Sequence, residues 1–313
     1  MCRLFSSRRA IIYSETGDPS QVLSVSKVSA LSEKVPAGNV GVKFLLSPIN
    51  PADLNVVQGV YPSKPEIRND LGTPFPSFIG GNEGLAQVEC VGNGVNNLSI
   101  GDWVILSKPQ SGTWASHAYA DAKDVIPVDK KVGEVRAATI TVNPPTARGM
   151  LSDFRDLVEG DFVIQNGANS AVGQAVIQIA AARGLRTINV VRDRPGIEDL
   201  KQQLVSLGAT HVLTEDELAD KSTRGKVKEW TGRKGIKLGL NCVSGKMTTV
   251  LAKYLGENAA LVSYGAMSKS PLSLPTSLFI FQMRINLEPH FIWLLANTLV
   301  CDPLTRRASD NVA

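Results

Sequence analysis

Nine consecutive residues, Gln165-Asn166-Gly167-Ala168-Asn169-Ser170-Ala171-Val172-Gly173, join an apolar run to an amphipathic one. Small side chains at such a strand-to-helix corner let the backbone approach a pyrophosphate, and the helix that follows offers free N–H groups and positive dipole. The segment departs from the G-x-G-x-x-G fingerprint: counted back from Gly173, the other two glycine slots hold Ala168 and Ser170. A turn that binds nothing could share this composition, so its surroundings have to support it. The next apolar run ends in Val191-Arg192-Asp193-Arg194. In dinucleotide folds this strand end meets the adenosine ribose, where an acid accepts the 2′-hydroxyl and guanidinium groups suit a 2′-phosphate. Arg192 and Arg194 therefore favour NADPH over NADH, with ordinary surface charge on a solvated loop as the alternative.

The elements that must carry this corner follow from the apolar rhythm. Before about residue 130, short runs at 40–46, 85–91, 102–106 and 116–120 alternate with Gly, Pro and Asn, which indicates a β-rich domain of short strands. From about residue 134 helices are expected over 134–140 and 145–157. Strands at 162–166, 187–191, 211–213, 238–243 and 260–264 then alternate with helices at 172–183 and 197–207 and further helical stretches. That alternation implies right-handed βαβ units, hence a doubly wound parallel sheet and an α/β fold class.

Composition narrows the function classes. The 313 residues are 43% hydrophobic and 20% charged, which argues against disorder, collagen and coiled coil. A net charge of +4, spread along the chain, requires no nucleic-acid partner. Cys2, Cys90, Cys242 and Cys301 lie far apart, so neither a disulfide framework nor a Cys-rich metal site is expected, and a reducing compartment fits best. His117, His211 and His290 have no ligand spacing and read as structural. The apolar stretch 289–301 is too short to span a bilayer. Residues 1–9 are rich in Arg and Ser and resemble a mitochondrial presequence, with a solvated basic start as the alternative.

Several strings occur in a familiar order: Pro48-Ile49-Asn50-Pro51-Ala52-Asp53, Gln58-Gly59-Val60-Tyr61, Gly80-Gly81-Asn82-Glu83-Gly84, Gly101-Asp102-Trp103-Val104, Val142-Asn143-Pro144-Pro145-Thr146-Ala147 and Asn241-Cys242-Val243. With residues 187–194 they resemble the medium-chain dehydrogenase/reductase superfamily, and within it the mitochondrial enoyl-thioester reductases. The resemblance implies a GroES-like catalytic domain over 10–138 and a Rossmann domain for NADPH over 139–281, in a zinc-free branch. By position it implies Tyr61 as proton donor. It implies cofactor contacts at Asn143; at Asn169, Ser170, Ala171 and Val172; at Arg192, Asp193 and Arg194; and at Tyr264, Gly265, Ala266 and Met267. The implied reaction is NADPH-dependent saturation of a 2-enoyl thioester on CoA or acyl carrier protein, in the mitochondrial matrix, by a homodimer.

The residues alone leave other roles open. A Tyr after Gln-Gly-Val can anchor a loop, and Asn143 before two prolines can cap the following helix. Asn50 and Glu83 are expected to serve a turn and a structural bond. The resemblance ends near Phe281, and residues 282–313 read as a divergent tail, so the sheet is expected to lack its last strand and the dimer to be at risk. A quinone or alkenal reductase, or a chain that binds NADPH without catalysis, are the competing functions.

Overall fold

A computed structural model describes residues 8–277 and the backbone of 283–284. The described chain forms two compact units, divided between Val142 and Asn143.

The first unit holds eight strands: β1 (Arg8–Tyr13), β2 (Ser24–Val28), β3 (Asn39–Leu46), β4 (Phe78–Ile79), β5 (Leu85–Val91), β6 (Trp103–Leu106), β7 (His117–Asp121) and β8 (Val125–Val128). They form a five-stranded sheet in the order β7-β3-β5-β6-β8 and a three-stranded sheet in the order β2-β1-β4. Every pairing is antiparallel. Alternate residues of β3, Val40, Val42 and Phe44, point into one core with Ala86, Val88, Val104 and Leu106, and Ala10 and Ile12 of β1 close it. Each Val, Leu, Ile or Phe side chain so removed from water contributes roughly 1.5–3 kcal/mol, which is why the period of two fixes the register. Three short helices lie among the strands: α1 (Pro19–Val22), α2 (Pro51–Val57) and α3 (Glu134–Ala138).

One sequence expectation changes here. Arg8 and Arg9, assigned above to a leader, belong to β1; Arg8 is buried and its Nε donates to the His117 carbonyl at 2.8 Å. The rest of the expected presequence, residues 1–7, lies outside the described residues. Cys242 is free.

The second unit is a parallel sheet of β9 (Phe162–Asn166), β10 (Arg186–Val191), β11 (His211–Thr214), β12 (Ile236–Asn241), β13 (Leu255–Ser263) and β14 (Met283–Arg284), in the order β11-β10-β9-β12-β13-β14. This is the 3-2-1-4-5-6 order of dinucleotide-binding folds. The helices are α4 (Asn143–Ser152), α5 (Ala171–Ala182), α6 (Ile197–Ser206), α7 (Glu215–Ala219), α8 (Thr223–Thr231) and α9 (Lys246–Ala252). Successive β9 residues serve opposite faces. Phe162 and Ile164 pack with Leu218, Val227 and Leu251, while Val163 packs with Met150, Val176 and Ala180. A strand buried on both sides cannot alternate apolar with polar, and it reads as a continuous apolar run.

The expected loss of the last strand is not observed. β14 pairs in parallel with β13 through Ala259–Met283 and Ala260–Arg284. An open β13 would present unpaired backbone groups at Ala259 and Ala260, and two extended residues suffice to cover them. The remainder of the expected tail lies outside the described residues, as does His290. His211 has a packing role: its ring stacks on Trp230 at 3.7 Å between centroids.

Candidate functional site

β9 ends in the phosphate-turn candidate. Gly167 takes a left-handed φ of +62°, and Ser170 caps α5 by accepting the Gly173 N–H at 3.1 Å. That leaves Ala171 and Val172 in the first turn, where no preceding helical carbonyl can reach their N–H groups. Gly173 is obligatory for packing: a Cβ there would sit 2.6 Å from the Ala168 carbonyl oxygen. The third glycine of the fingerprint is thus retained for close approach, whereas Ala168 and Ser170 fill the other two slots without strain. Beneath the turn, buried Gln165 donates to the Gly173 carbonyl at 2.9 Å and to Asn189 Oδ1 at 2.8 Å. A small-residue corner at a helix N-terminus fits a dinucleotide pyrophosphate.

The segment 264–267 reaches the same corner from β13. Tyr264 N–H bonds the Asn241 carbonyl at 3.0 Å, and Met267 N–H bonds the Cys242 carbonyl at 3.1 Å. The Tyr264 hydroxyl interacts with the Ser170 and Cys242 side chains, and burial pushes its phenol far above the usual range. Burial likewise pushes the Cys242 thiol up. The structure therefore brings Ser170 and Tyr264 together. Arg192, Asp193 and Arg194 stand exposed beyond β10, with Arg194 Nε 3.5 Å from the Arg192 carbonyl. Arg192 also draws down the Glu215 carboxyl, which burial on balance holds above its ordinary value. Asn143 is the first residue of α4, at the first position of this unit.

Within this corner, Asn166 and Asn241 are residues to which the sequence assigned no task. Both are buried polar groups at the ends of strands buried along most of their length, and that mismatch is the signal by which they could have been found.

Tyr61 belongs to the first unit, in the segment after α2, and is half-buried. Its phenol is raised by burial and then by the Asp53 carboxylate. Asp53, at the third position of α2, accepts the Asn50 N–H at 2.7 Å, and Asn50 Nδ2 donates to Glu83 Oε1 at 2.8 Å. Glu83, 1% exposed, also accepts from the Thr141 N–H at 3.2 Å, the Thr141 hydroxyl at 2.8 Å and the Val142 N–H at 3.2 Å. Glu83 and Asn50 thus take the structural roles expected of them.

Asp53 is raised to about 6, first by burial, with neighbouring Glu83 adding to it. The folded chain therefore holds this proton more tightly than the unfolded one. The stability it contributes is complete below about pH 4 and is lost as pH rises through about 6. Asp53→Asn keeps an oxygen toward the Asn50 N–H and carries no charge. It is expected to gain on the native chain by up to about 3 kcal/mol between pH 4 and pH 8. Denaturant titrations at the two pH values check this; a pH-independent difference would contradict it.

Among the described residues, no group of three or more His, Cys, Asp or Glu could hold a metal ion, and no helix is long and apolar enough to cross a membrane.

The chain matches the alcohol dehydrogenase GroES-like domain over residues 36–130 and the zinc-binding dehydrogenase family over 171–292. The second match runs past Phe281, where the sequence alone ended the resemblance. The mitochondrial enoyl-(acyl-carrier-protein) reductase of Schizosaccharomyces pombe is 46% identical over 91% of this chain and 77% of its own length. The mitochondrial 2-enoyl thioester reductase heterodimer of Candida tropicalis superposes with a TM-score of 0.87 at 38% identity, covering 94% of this chain and 86% of that one. The Etr1p complex with NADP and crotonyl-CoA also gives 0.87, at 37% identity and the same coverage. On this identity, sustained through both units, the chain belongs to the mitochondrial enoyl-(acyl-carrier-protein) reductases of the medium-chain dehydrogenase/reductase superfamily.

Proposed function

We propose that this protein saturates 2-enoyl thioesters, carried on CoA or acyl carrier protein, at the expense of NADPH. The carrying observation is the corner at the carboxyl ends of β9 and β13, where Ser170 and Tyr264 interact beside the N-terminus of a helix packed so closely on the preceding turn that a Cβ at position 173 would clash with the Ala168 backbone. NADPH supplies a hydride to the β-carbon of the thioester. Asn169, Ser170, Ala171 and Val172 hold its pyrophosphate, Arg192, Asp193 and Arg194 its phosphorylated ribose, and Asn143 and Tyr264 through Met267 its remaining edge. Negative charge gathers on the thioester oxygen as an enolate, and the α-carbon takes its proton from the Tyr61 hydroxyl. The phenolate then recovers a proton from water, which returns the chain to its starting state. The protein acts in the mitochondrial matrix and pairs as a dimer.

The test is a steady-state assay. Purified chain is expected to consume NADPH only when trans-2-butenoyl-CoA is added, yielding butanoyl-CoA in equal amount. NADPH consumption with a quinone but not with the enoyl thioester would transfer the protein to another branch. Coenzyme-dependent thermal stabilisation without any turnover would make it a binding protein.

A further inference from the structure

Asn166, one residue before the phosphate turn, spends its whole side chain on the neighbouring strand end. Its Oδ1 accepts the Cys242 N–H at 2.7 Å and the Val243 N–H at 3.2 Å, and its Nδ2 donates to Asn241 Oδ1 at 2.8 Å. Asn241 Oδ1 further accepts the Ser244 N–H at 3.0 Å and the Thr248 hydroxyl at 2.8 Å, while its Nδ2 donates to Ser263 Oγ at 2.9 Å. The segment so clipped carries the next one. The carbonyls of Asn241, Cys242 and Val243 accept the N–H groups of Tyr264, Met267 and Ser268 at 3.0, 3.1 and 2.9 Å. Contact is tight enough that a Cβ on Gly265 would lie 2.8 Å from the Cys242 oxygen.

Two buried amides are an expensive way to join three strands, because each polar atom must be satisfied or cost about 1–3 kcal/mol. What they add over an apolar pair is direction. We propose that Asn166 and Asn241 are positioning residues that lock segment 264–267 to the phosphate turn, so that both grip the dinucleotide as one rigid body. This rests on the NADPH reading above and goes beyond it in naming what holds the two halves of that site in register. Neither asparagine is among the residues proposed to touch the coenzyme. Their effect passes through the backbone of residues 242–244.

Dissociation constants for NADPH and NADH, measured by coenzyme fluorescence, test it beside melting temperatures. Asn166→Ala is expected to weaken both coenzymes by the same factor, about tenfold, corresponding to the acceptor lost by two N–H groups. The NADPH-to-NADH ratio and the KM for the enoyl thioester stay unchanged. Thr248→Val removes one bond from Asn241 and leaves the clip, so it melts lower and binds both coenzymes within about twofold of the native chain. Should Asn166→Ala fail to fold, Asn166→Asp replaces it. A protonated Asp reproduces both the acceptor and the donor of the amide, and an ionised one loses the donor. Its affinity relative to the native chain is then expected to fall as pH rises. The nearby Cys242 thiol and Tyr264 phenol are held above their usual ranges, so they contribute no charge over pH 5–8. If Asn166→Ala melts lower yet binds both coenzymes normally, or Asn166→Asp binds independently of pH relative to the native chain, the inference is overturned. If the native chain binds neither coenzyme, it is the NADPH reading that falls, and this one with it.

Discussion

Tyr61→Phe is expected to lower kcat for enoyl-thioester reduction by about 10²–10⁴-fold, the range that a positioned general acid supplies. The substitution deletes one hydroxyl and keeps the ring, so packing around a half-buried side chain survives. The dissociation constant for NADPH should move less than about twofold, because the residues proposed to hold the coenzyme all lie in the other unit. Two effects keep the phenol protonated: burial raises it, and the Asp53 carboxylate raises it further. An acid this weak still serves an enolate carbon, which is a much stronger base. Comparing kcat, KM and coenzyme binding in the two proteins checks the assignment. A kcat within about threefold of the native value would remove Tyr61 from the chemistry and leave it as a loop anchor.

The Rossmann half was legible because its strands are buried on both faces and its helices on one. β9 falls on residues 162–166 as expected, α5 is displaced by a single residue, and β10 begins one residue earlier than expected and ends where expected. β13 begins at Leu255, five residues before the expected start, and runs through Gly256, Glu257 and Asn258. Asn258 does adopt a left-handed φ of +57°, and the pairing with β12 shifts register between Ile236 and Leu238 to accommodate it. Pairing with β12 on both sides of the irregularity carries the strand through residues of low strand propensity. In the other unit, β1 and β2 were illegible since Arg8, Arg9, Ser24 and Ser26 mask the apolar alternation. α2 was missed because the seven residues from Pro51 to Val57 are too few to display a helical period. The candidate phosphate turn and the two arginines proposed to serve it are picked out by residue types alone. Tyr61 is not: a phenol in a loop carries no pattern, and only the resemblance singled it out. β14 was hidden for a third reason, since what makes it a strand is the open edge of β13 rather than anything in Met283-Arg284 itself.

Reversing both guanidinium charges, Arg192→Asp with Arg194→Asp, is expected to change the NADPH-over-NADH preference in kcat/KM by about 10²–10⁴-fold. Each charge-assisted bond to a phosphate contributes about 1.5–3 kcal/mol, and two acids in their place add repulsion. Both side chains are exposed beyond β10, so neither contributes to the core and the fold should tolerate the exchange. Arg192 gives up only its attraction for Glu215, a partly buried carboxyl on α7. NADH should suffer far less than NADPH, because an acid at this strand end is the group that accepts a ribose 2′-hydroxyl, and Asp193 already stands between the two positions. The ratio of kcat/KM for the two coenzymes, measured at one ionic strength because exposed phosphate contacts are screened by salt, is the deciding quantity. A native-like ratio in the double variant would place the 2′-phosphate elsewhere and with it the adenosine end of the whole site. A ratio inverted toward NADH, with kcat on NADH preserved, is the result that electrostatics at these two positions demands.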